Sequence, residues 1–123
     1  MPTSAPSVAE LLRGREPSVS ATYIRLIEAL NRWFAVTEEA NKSSIHLKPK
    51  GGGSAFAGVH PRRAAILLNV RGDAPIVSPR IRKVKQVSKH RFHNELLLES
   101  PSEVDADLLA WLSAAYALSA PTD

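Results

Sequence analysis

The spacing of apolar residues changes near position 44 of this 123-residue chain, and that change limits the folds open to it. Before position 44, Tyr23, Ile27, Leu30 and Phe34 recur at intervals of three or four, which places them on one face of a helix. From Ser44 onward apolar and polar residues alternate, which is typical of strands with one buried face. The sequence therefore predicts helices packed on an antiparallel sheet, in the α+β class.

Three helices are expected. A short one follows Ser7 and stops at Gly14, and a second runs from about Ser20 to Asn41. The last begins at Ser100, because Ser100 and Glu103 have capping-box spacing and a proline follows the cap. Three aromatic residues on these helices are expected in the core: Trp33, Trp111 and Tyr116.

Four strands are predicted, within residues 44–48, 55–60, 63–71 and 91–99, and residues 81–87 suit either a strand or a helical turn. The expected fold is a two-layer α+β domain with four or five antiparallel strands and both long helices on one face. Its element order is α-α-β-β-β-(β)-β-α. One domain spans residues 1–123, and the ends at 1–6 and 119–123 are expected to fray.

Charge is sorted along the chain. Residues 42–91 carry twelve Lys or Arg residues against one acid, whereas residues 92–123 carry six acids and no Lys or Arg. The overall charge of +4 conceals this separation. A local field of this strength indicates a polyanionic or acidic partner for the middle of the chain.

The densest cations predict a nucleic-acid or anion-binding surface, because phosphate binding needs several cations close together. Phe56 and Phe92 could stack on bases there, although both also suit the core. A solvated edge strand whose lysines prevent aggregation is the competing interpretation. The predicted site residues are Arg80, Arg82, Lys83, Lys85, Lys89 and Arg91, followed by Lys48 and His93.

The four histidines lie between Ile45 and Asn94. His90 and His93 point to opposite faces of a strand, and the cations beside them disfavour a metal ion, so no metal site is predicted. A pair such as His46 and His93 has the chemistry for acid–base cleavage of RNA, yet the spacing does not require the two to be adjacent. No catalytic residues are assigned, and a non-enzymatic module is favoured.

Composition excludes several classes of protein. The chain has no cysteine, which excludes disulfides and thiolate metal sites. It has neither a secretory signal nor an apolar run long enough for a membrane span, so cytoplasmic residence without membrane contact is expected. The glycine turn at residues 50–54 lacks the phosphate-loop pattern, and no cofactor is predicted.

Four stretches occur in a familiar order: residues 42–47, 56–59, 80–93 and 102–116, the last containing Trp111-Leu112 and Ala115-Tyr116. From about Val8 to Leu118 this succession resembles the bacterial domain-of-unknown-function 5655 family. The resemblance implies a compact α+β module that occurs alone or fused to other bacterial domains, some of them nuclease-related. It implies no established activity and supplies no catalytic residues.

The sequence thus favours a module that binds nucleic acid, or another polyanion, on a basic sheet surface through phosphates. The alternative is a protein-interaction module, in which the basic middle meets the acidic last helix of a second copy or of a fused or partner domain. The acids available for that contact are Glu103, Asp105 and Asp107.

Overall fold

The computed structural model describes residues 6–120 and confirms the α+β class. The helices are α1 (Val8–Leu12), α2 (Pro17–Asn31) and α3 (Ala106–Ser119), with one 3₁₀ turn at Pro101–Glu103. The strands are β1 (Val36–Ala40), β2 (Ile45–Pro49), β3 (Ala57–Pro61), β4 (Ile66–Gly72), β5 (Lys83–Ser88) and β6 (Arg91–Leu98). The described chain thus has six strands, more than the four or five expected.

All six strands belong to one antiparallel sheet in the order β1-β2-β3-β4-β6-β5. The ambiguous segment at residues 81–87 is an edge strand, because β5 pairs only with β6. Its six residues are all exposed, so no helix covers this edge. The opposite edge is β1, which the sequence analysis missed.

Strand β1 lies in the segment assigned to the second helix. That helix begins earlier than expected, with Pro17 at its first turn, and ends at Asn31. Phe34 continues the helical spacing only by coincidence, since its backbone lies beyond the helix. The β-branched pair Val36–Thr37 then starts the strand, consistent with the preference of such residues for extended backbone.

The predicted Ser100–Glu103 capping box forms, but it caps a 3₁₀ turn that precedes the last helix. Ser7 and Glu10 cap α1 reciprocally, and Ser100 and Glu103 do the same for the 3₁₀ turn. Helix α3 begins after that turn, where the Asp105 side chain accepts a hydrogen bond from the backbone N–H of Leu108. Asp105 therefore supplies the N-cap that the sequence analysis assigned to Ser100.

The hydrophobic core lies between the helices and one face of the sheet. Every second residue of β2, β3, β4 and the second half of β6 is buried, and these side chains join those of α2 and α3 in one cluster. Leu26, Leu68, Leu96 and Leu108 are all 0% exposed. Burying each such side chain contributes about 1.5–3 kcal/mol, which fixes the register of the central strands.

Aromatic residues close the core at one end of the sheet. The Phe34 ring stacks on Tyr116 with centroids 4.0 Å apart, and Phe56 meets Tyr116 edge-on at 5.3 Å. Phe56 is 0% exposed, so it is not a platform for stacking bases. The placement of Trp33 in the core was wrong, because this residue lies past the end of α2 and is 60% exposed.

Most of the ends expected to fray, residues 1–5 and 121–123, lie outside the described part. Ser119 belongs to α3 and is buried. Among the helices of residues 6–120, none is both long and apolar enough to cross a membrane.

Candidate anion-binding surface

The sheet has a second face, here called the open face, formed by the residues that alternate with the buried ones. These side chains are half-buried along β2, β3, β4 and β6. The described helices pack on the other face through the single core cluster, so the open face is accessible from solvent. As expected, it carries most of the polar residues of the strands, including His46, Lys48, Arg71 and His93.

Three basic residues lie side by side on the open face. His93 of β6 pairs in register with Arg71 of β4 on one side and with Lys85 of β5 on the other. Side chains directly opposite each other in an antiparallel pair have Cβ atoms roughly 5 Å apart. We call Arg71, His93 and Lys85 the basic row; Arg91 stands two residues before His93 on the same face.

The pKa shifts of His93 and Arg71 follow from their burial and from the neighbouring cations. Burial lowers the pKa of His93, and the charges of Arg91, Lys85 and Arg71 lower it further. Burial and the charge of Arg91 likewise lower the pKa of Arg71, although a guanidinium stays protonated at neutral pH. Because its pKa lies below the ordinary value, His93 is mostly neutral at neutral pH, and the positive charge around it comes from Arg71, Lys85 and Arg91.

The adjacent row on the same face is balanced. There Lys83 of β5 lies opposite Glu95 of β6, and Glu95 lies opposite Asn69 of β4. At the β1 edge, the Lys48 Nζ atom lies 2.9 Å from a carboxylate oxygen of Glu39. Lys48 and Lys83 therefore each have an acid beside them, whereas the register places no acid opposite a residue of the basic row.

Arg71 is held in place without a carboxylate. Its Nη1 atom donates to the hydroxyls of Ser54, at 2.7 Å, and Ser119, at 2.8 Å. Within residues 6–120, no carboxylate oxygen lies within 4.0 Å of this guanidinium, and its buried Nε atom has no hydrogen-bond partner. Ser119 ends α3, so the partial negative charge at that helix terminus offers limited compensation.

Arg80 differs and does not join the basic row. Its Nη1 atom donates to both carboxylate oxygens of Asp105, at 2.9 and 3.0 Å, and its Nη2 atom donates to the Glu103 carbonyl. The guanidinium carbon also lies 5.8 Å from the centre of the Trp111 ring. Arg80 thus fastens the β4–β5 connection to the start of α3, and its charge is neutralised.

The remaining predicted residues are divided between the row and its surroundings. Lys85, Arg91 and His93 come together, and Lys89 is exposed in the turn that joins β5 to β6. Arg82 instead lines a separate depression with Glu95 and Glu99. The predicted set therefore yields a cluster of three residues at one sheet edge, while Lys83 and Lys48 face acids.

A shallow depression of about 180 Å³, here called the trough, lies on the open face beside the basic row. Gly58 of β3 forms part of its floor. The polar side chains that line it come from β2, β3, β4 and β6: His46, His60, Asn69, Arg71, Arg91 and His93. His46 and His93 thus border the same depression, from strands that are three positions apart in the sheet, roughly 14 Å at the usual strand spacing.

The predicted site omitted His60, Asn69 and Arg71. All three lie on β3 and β4, the central strands of the sheet, well before the dense basic run in sequence. The alternation of β4 places Arg71 on the open face, but its position opposite His93 depends on the order of the strands. The sequence offered no signal for that order.

Among residues 6–120, no group of His, Asp and Glu side chains is arranged to hold a metal ion. A family model described as "Domain of unknown function (DUF5655)" matches residues 8–119. No curated protein and no solved structure matches the chain.

Proposed function

The chain belongs to the DUF5655 family, whose description assigns no activity, and we propose that it is a non-enzymatic module that binds nucleic acid through its phosphates. The observation that carries the proposal is the uncompensated charge of the basic row. Arg71, His93 and Lys85 lie opposite one another across three strands, with Arg91 beside them. A row of phosphates would relieve the repulsion among Arg71, Lys85 and Arg91 and release bound counterions.

The arrangement favours backbone contacts over base recognition. Lys85 and Lys89 are exposed and reach solvent as mobile point charges. Arg91 offers a planar guanidinium group that can donate two parallel hydrogen bonds to a phosphate, and Arg71 offers its Nη2 atom, since its Nη1 atom is used by two serines and its Nε atom is buried. Phe56, the aromatic side chain that lines the trough, is buried in the core. Binding is therefore expected to show little sequence preference.

The acidic-partner alternative has less support. Glu103 uses its carboxylate to accept from the backbone N–H groups of Glu99 and Ser100. Asp105 is the N-cap of α3 and pairs with Arg80. A second copy that docked its basic row on this helix would have to compete with those internal contacts, leaving Asp107 as the freest of the three acids.

Fluorescence anisotropy with labelled single-stranded DNA and RNA tests the proposal. About four phosphate contacts predict a salt slope near −3, and roughly a 50-fold loss of affinity between 50 and 200 mM salt. Replacing the basic edge, as Lys85→Gln with Lys89→Gln and Arg91→Gln, should weaken binding at least tenfold. The absence of micromolar binding by the unaltered protein at 50 mM salt would contradict the proposal.

A matched control removes the same charge from the helical side of the molecule. Arg13, Arg25 and Arg32 lie at the end of α1, within α2 and at the end of α2. Replacing all three with Gln should change affinity less than twofold, because these residues do not belong to the open face. Equal losses in the two triple variants would show that only net charge matters and would remove the case for a defined surface.

A further inference from the structure

The trough lies over Gly58, a position of β3 where the sheet would accept a larger residue. Gly58 pairs in register with His46 of β2 and with Asn69 of β4, so no side chain fills the space between these two polar residues. A Cβ atom at Gly58 would lie 3.6 Å from the His60 Nε2 atom and 4.0 Å from the Asn69 Cβ atom, both ordinary contacts. Its φ also lies outside the left-handed region, so the fold tolerates a side chain here.

The missing side chain leaves the backbone of β3 accessible between cationic and hydrogen-bonding groups. Arg71, Arg91 and His93 border the trough on the side of the basic row, and His46 and His60 border it on the side of β2 and β3. Glycine in the interior of a strand often marks the close approach of a ligand. The volume of about 180 Å³ is enough for a phosphate group to enter.

We propose that the trough is a subsite for one phosphate group, held by the guanidinium groups of Arg71 and Arg91 above Gly58. This inference rests on the proposed function and assigns it a specific docking point. Arg71 suits the role because its Nη1 atom is already fixed by two serine hydroxyls, so little side-chain entropy is lost on binding. His60 and His93 also line the trough, and in this proposal their imidazole N–H groups donate to the remaining phosphate oxygens.

The phosphate can come from two sources, a terminal phosphomonoester or an internal phosphodiester. A terminal phosphate carries up to two negative charges and would neutralise more of the charge from Arg71 and Arg91. An internal phosphate requires the chain to enter and leave along the open face. The geometry supports the phosphate group in both forms, and the experiment distinguishes them.

The decisive variants are Gly58→Ala and Gly58→Val, which fill the trough and leave every charge in place. Valine suits a strand, and a Cβ atom at this position meets only ordinary contacts. Thermal unfolding confirms folding before binding is measured. The probes are two labelled oligonucleotides of one sequence, one with a 5′-phosphate and one with a 5′-hydroxyl, each titrated at several salt concentrations.

The subsite predicts a graded loss of affinity, about twofold for Gly58→Ala and at least fivefold for Gly58→Val. Because one phosphate contact disappears, the salt slope should decrease by about one, although the net charge is unchanged. Loss confined to the 5′-phosphorylated probe identifies the terminal phosphate, and equal loss for both probes identifies the internal one.

Unchanged affinity and salt slope in a folded Gly58→Val protein would overturn the subsite while leaving binding by the wider surface intact. Failure of the unaltered protein to bind either probe at 50 mM salt would overturn the proposed function as well. A titration of the unaltered protein with inorganic phosphate, followed through the imidazole NMR signals, supplies a direct test. Signals of His60 and His93 should shift, whereas that of His90, in the exposed β5–β6 turn, should not.

Discussion

Two arginines of the basic segment, Arg71 and Arg80, are both held by hydrogen bonds, yet their surroundings differ. Arg80 donates to the carboxylate of Asp105 and to a carbonyl, and it lies over Trp111. Arg71 donates only to two serine hydroxyls and lies beside Arg91 and His93. The first is a completed structural contact, and the second is a fixed cation that still lacks an anion.

The contrast separates two uses of a cation that composition cannot distinguish. A paired arginine stabilises the fold that contains it, and its removal leaves an acid and a carbonyl without their donor. An uncompensated arginine contributes little to stability, because its hydrogen bonds are offset by desolvation and by repulsion from its neighbours. It becomes useful only when a ligand supplies the missing charge.

The largest effect on stability is expected from Arg80→Met. This change removes the hydrogen bonds to Asp105 and Glu103 and the cation–π contact with Trp111, but keeps an apolar stem. The free energy of unfolding should fall by about 2 kcal/mol, mostly from the charged hydrogen bonds, since exposed ion pairs alone contribute less. Urea unfolding measures the loss, and affinity for nucleic acid should change less than twofold.

Arg71→Met is the matched substitution and should give the reverse result. The free energy of unfolding is expected to change by less than about 1 kcal/mol, because two lost hydrogen bonds are offset by relief of burial and repulsion. Affinity for a labelled oligonucleotide should fall about tenfold, equivalent to about 1.4 kcal/mol. A loss of stability as large as that in Arg80→Met, with affinity retained, would remove the distinction between the two arginines.

Two lysines of β5 allow the same comparison within one strand. Lys83 and Lys85 are two residues apart on β5, but Lys83 lies opposite Glu95 and Lys85 opposite His93. Lys85→Gln should raise the free energy of unfolding by a few tenths of a kcal/mol, and Lys83→Gln should lower it by a similar amount. The salt slope of binding should decrease by about one for Lys85→Gln and by less for Lys83→Gln. Equal effects of the two substitutions on stability and on the salt slope would contradict the distinction between Lys85 in the basic row and Lys83 beside Glu95.

Much of the fold could be predicted from apolar spacing. The alternation within residues 44–48, 55–60, 63–71 and 91–99 located four strands of the sheet, and the Ser100–Glu103 box located the turn before α3. Strand β1 escaped because Phe34 keeps the helical interval after the helix has ended and still reaches the core by stacking on Tyr116. Apolar periodicity shows which side chains are buried, but it does not show whether each belongs to a helix or to the segment that follows it.

The candidate site was predictable only in part, because it depends on which strands are neighbours. A count of charges along the sequence treats Arg80 and Lys85 as equivalent. In the structure, Arg80 is neutralised by Asp105, whereas Lys85 lies opposite His93. Arg71 lies among apolar residues on β4, and nothing near it in sequence indicates that β6 pairs beside it. The place of Gly58 in the floor of the trough likewise became evident only when its neighbours in the sheet were known.

The smallest expected effect is a pH dependence that follows from the basic row. Burial and the charges of Arg91, Lys85 and Arg71 lower the folded-state pKa of His93, whereas the unfolded chain protonates this residue near its ordinary value. Between those two values the unfolded state binds more protons, so the free energy of unfolding falls as the pH drops from about 7.5 toward the lowered pKa. His60, which burial and Arg62 affect in the same direction, adds to this loss.

A bound phosphate should weaken that dependence, because its negative charge raises the pKa of the imidazole back toward its ordinary value. Melting temperatures of the unaltered protein should therefore fall from pH 7.5 to pH 5.5, and saturating oligonucleotide should reduce the fall. His93→Gln should lessen the dependence, while His90→Gln, in the exposed β5–β6 turn, serves as the control. If the melting temperature depended on pH equally in His93→Gln and His90→Gln, the charge of Arg71 would not act on His93. The basic row would then not be a single electrostatic cluster.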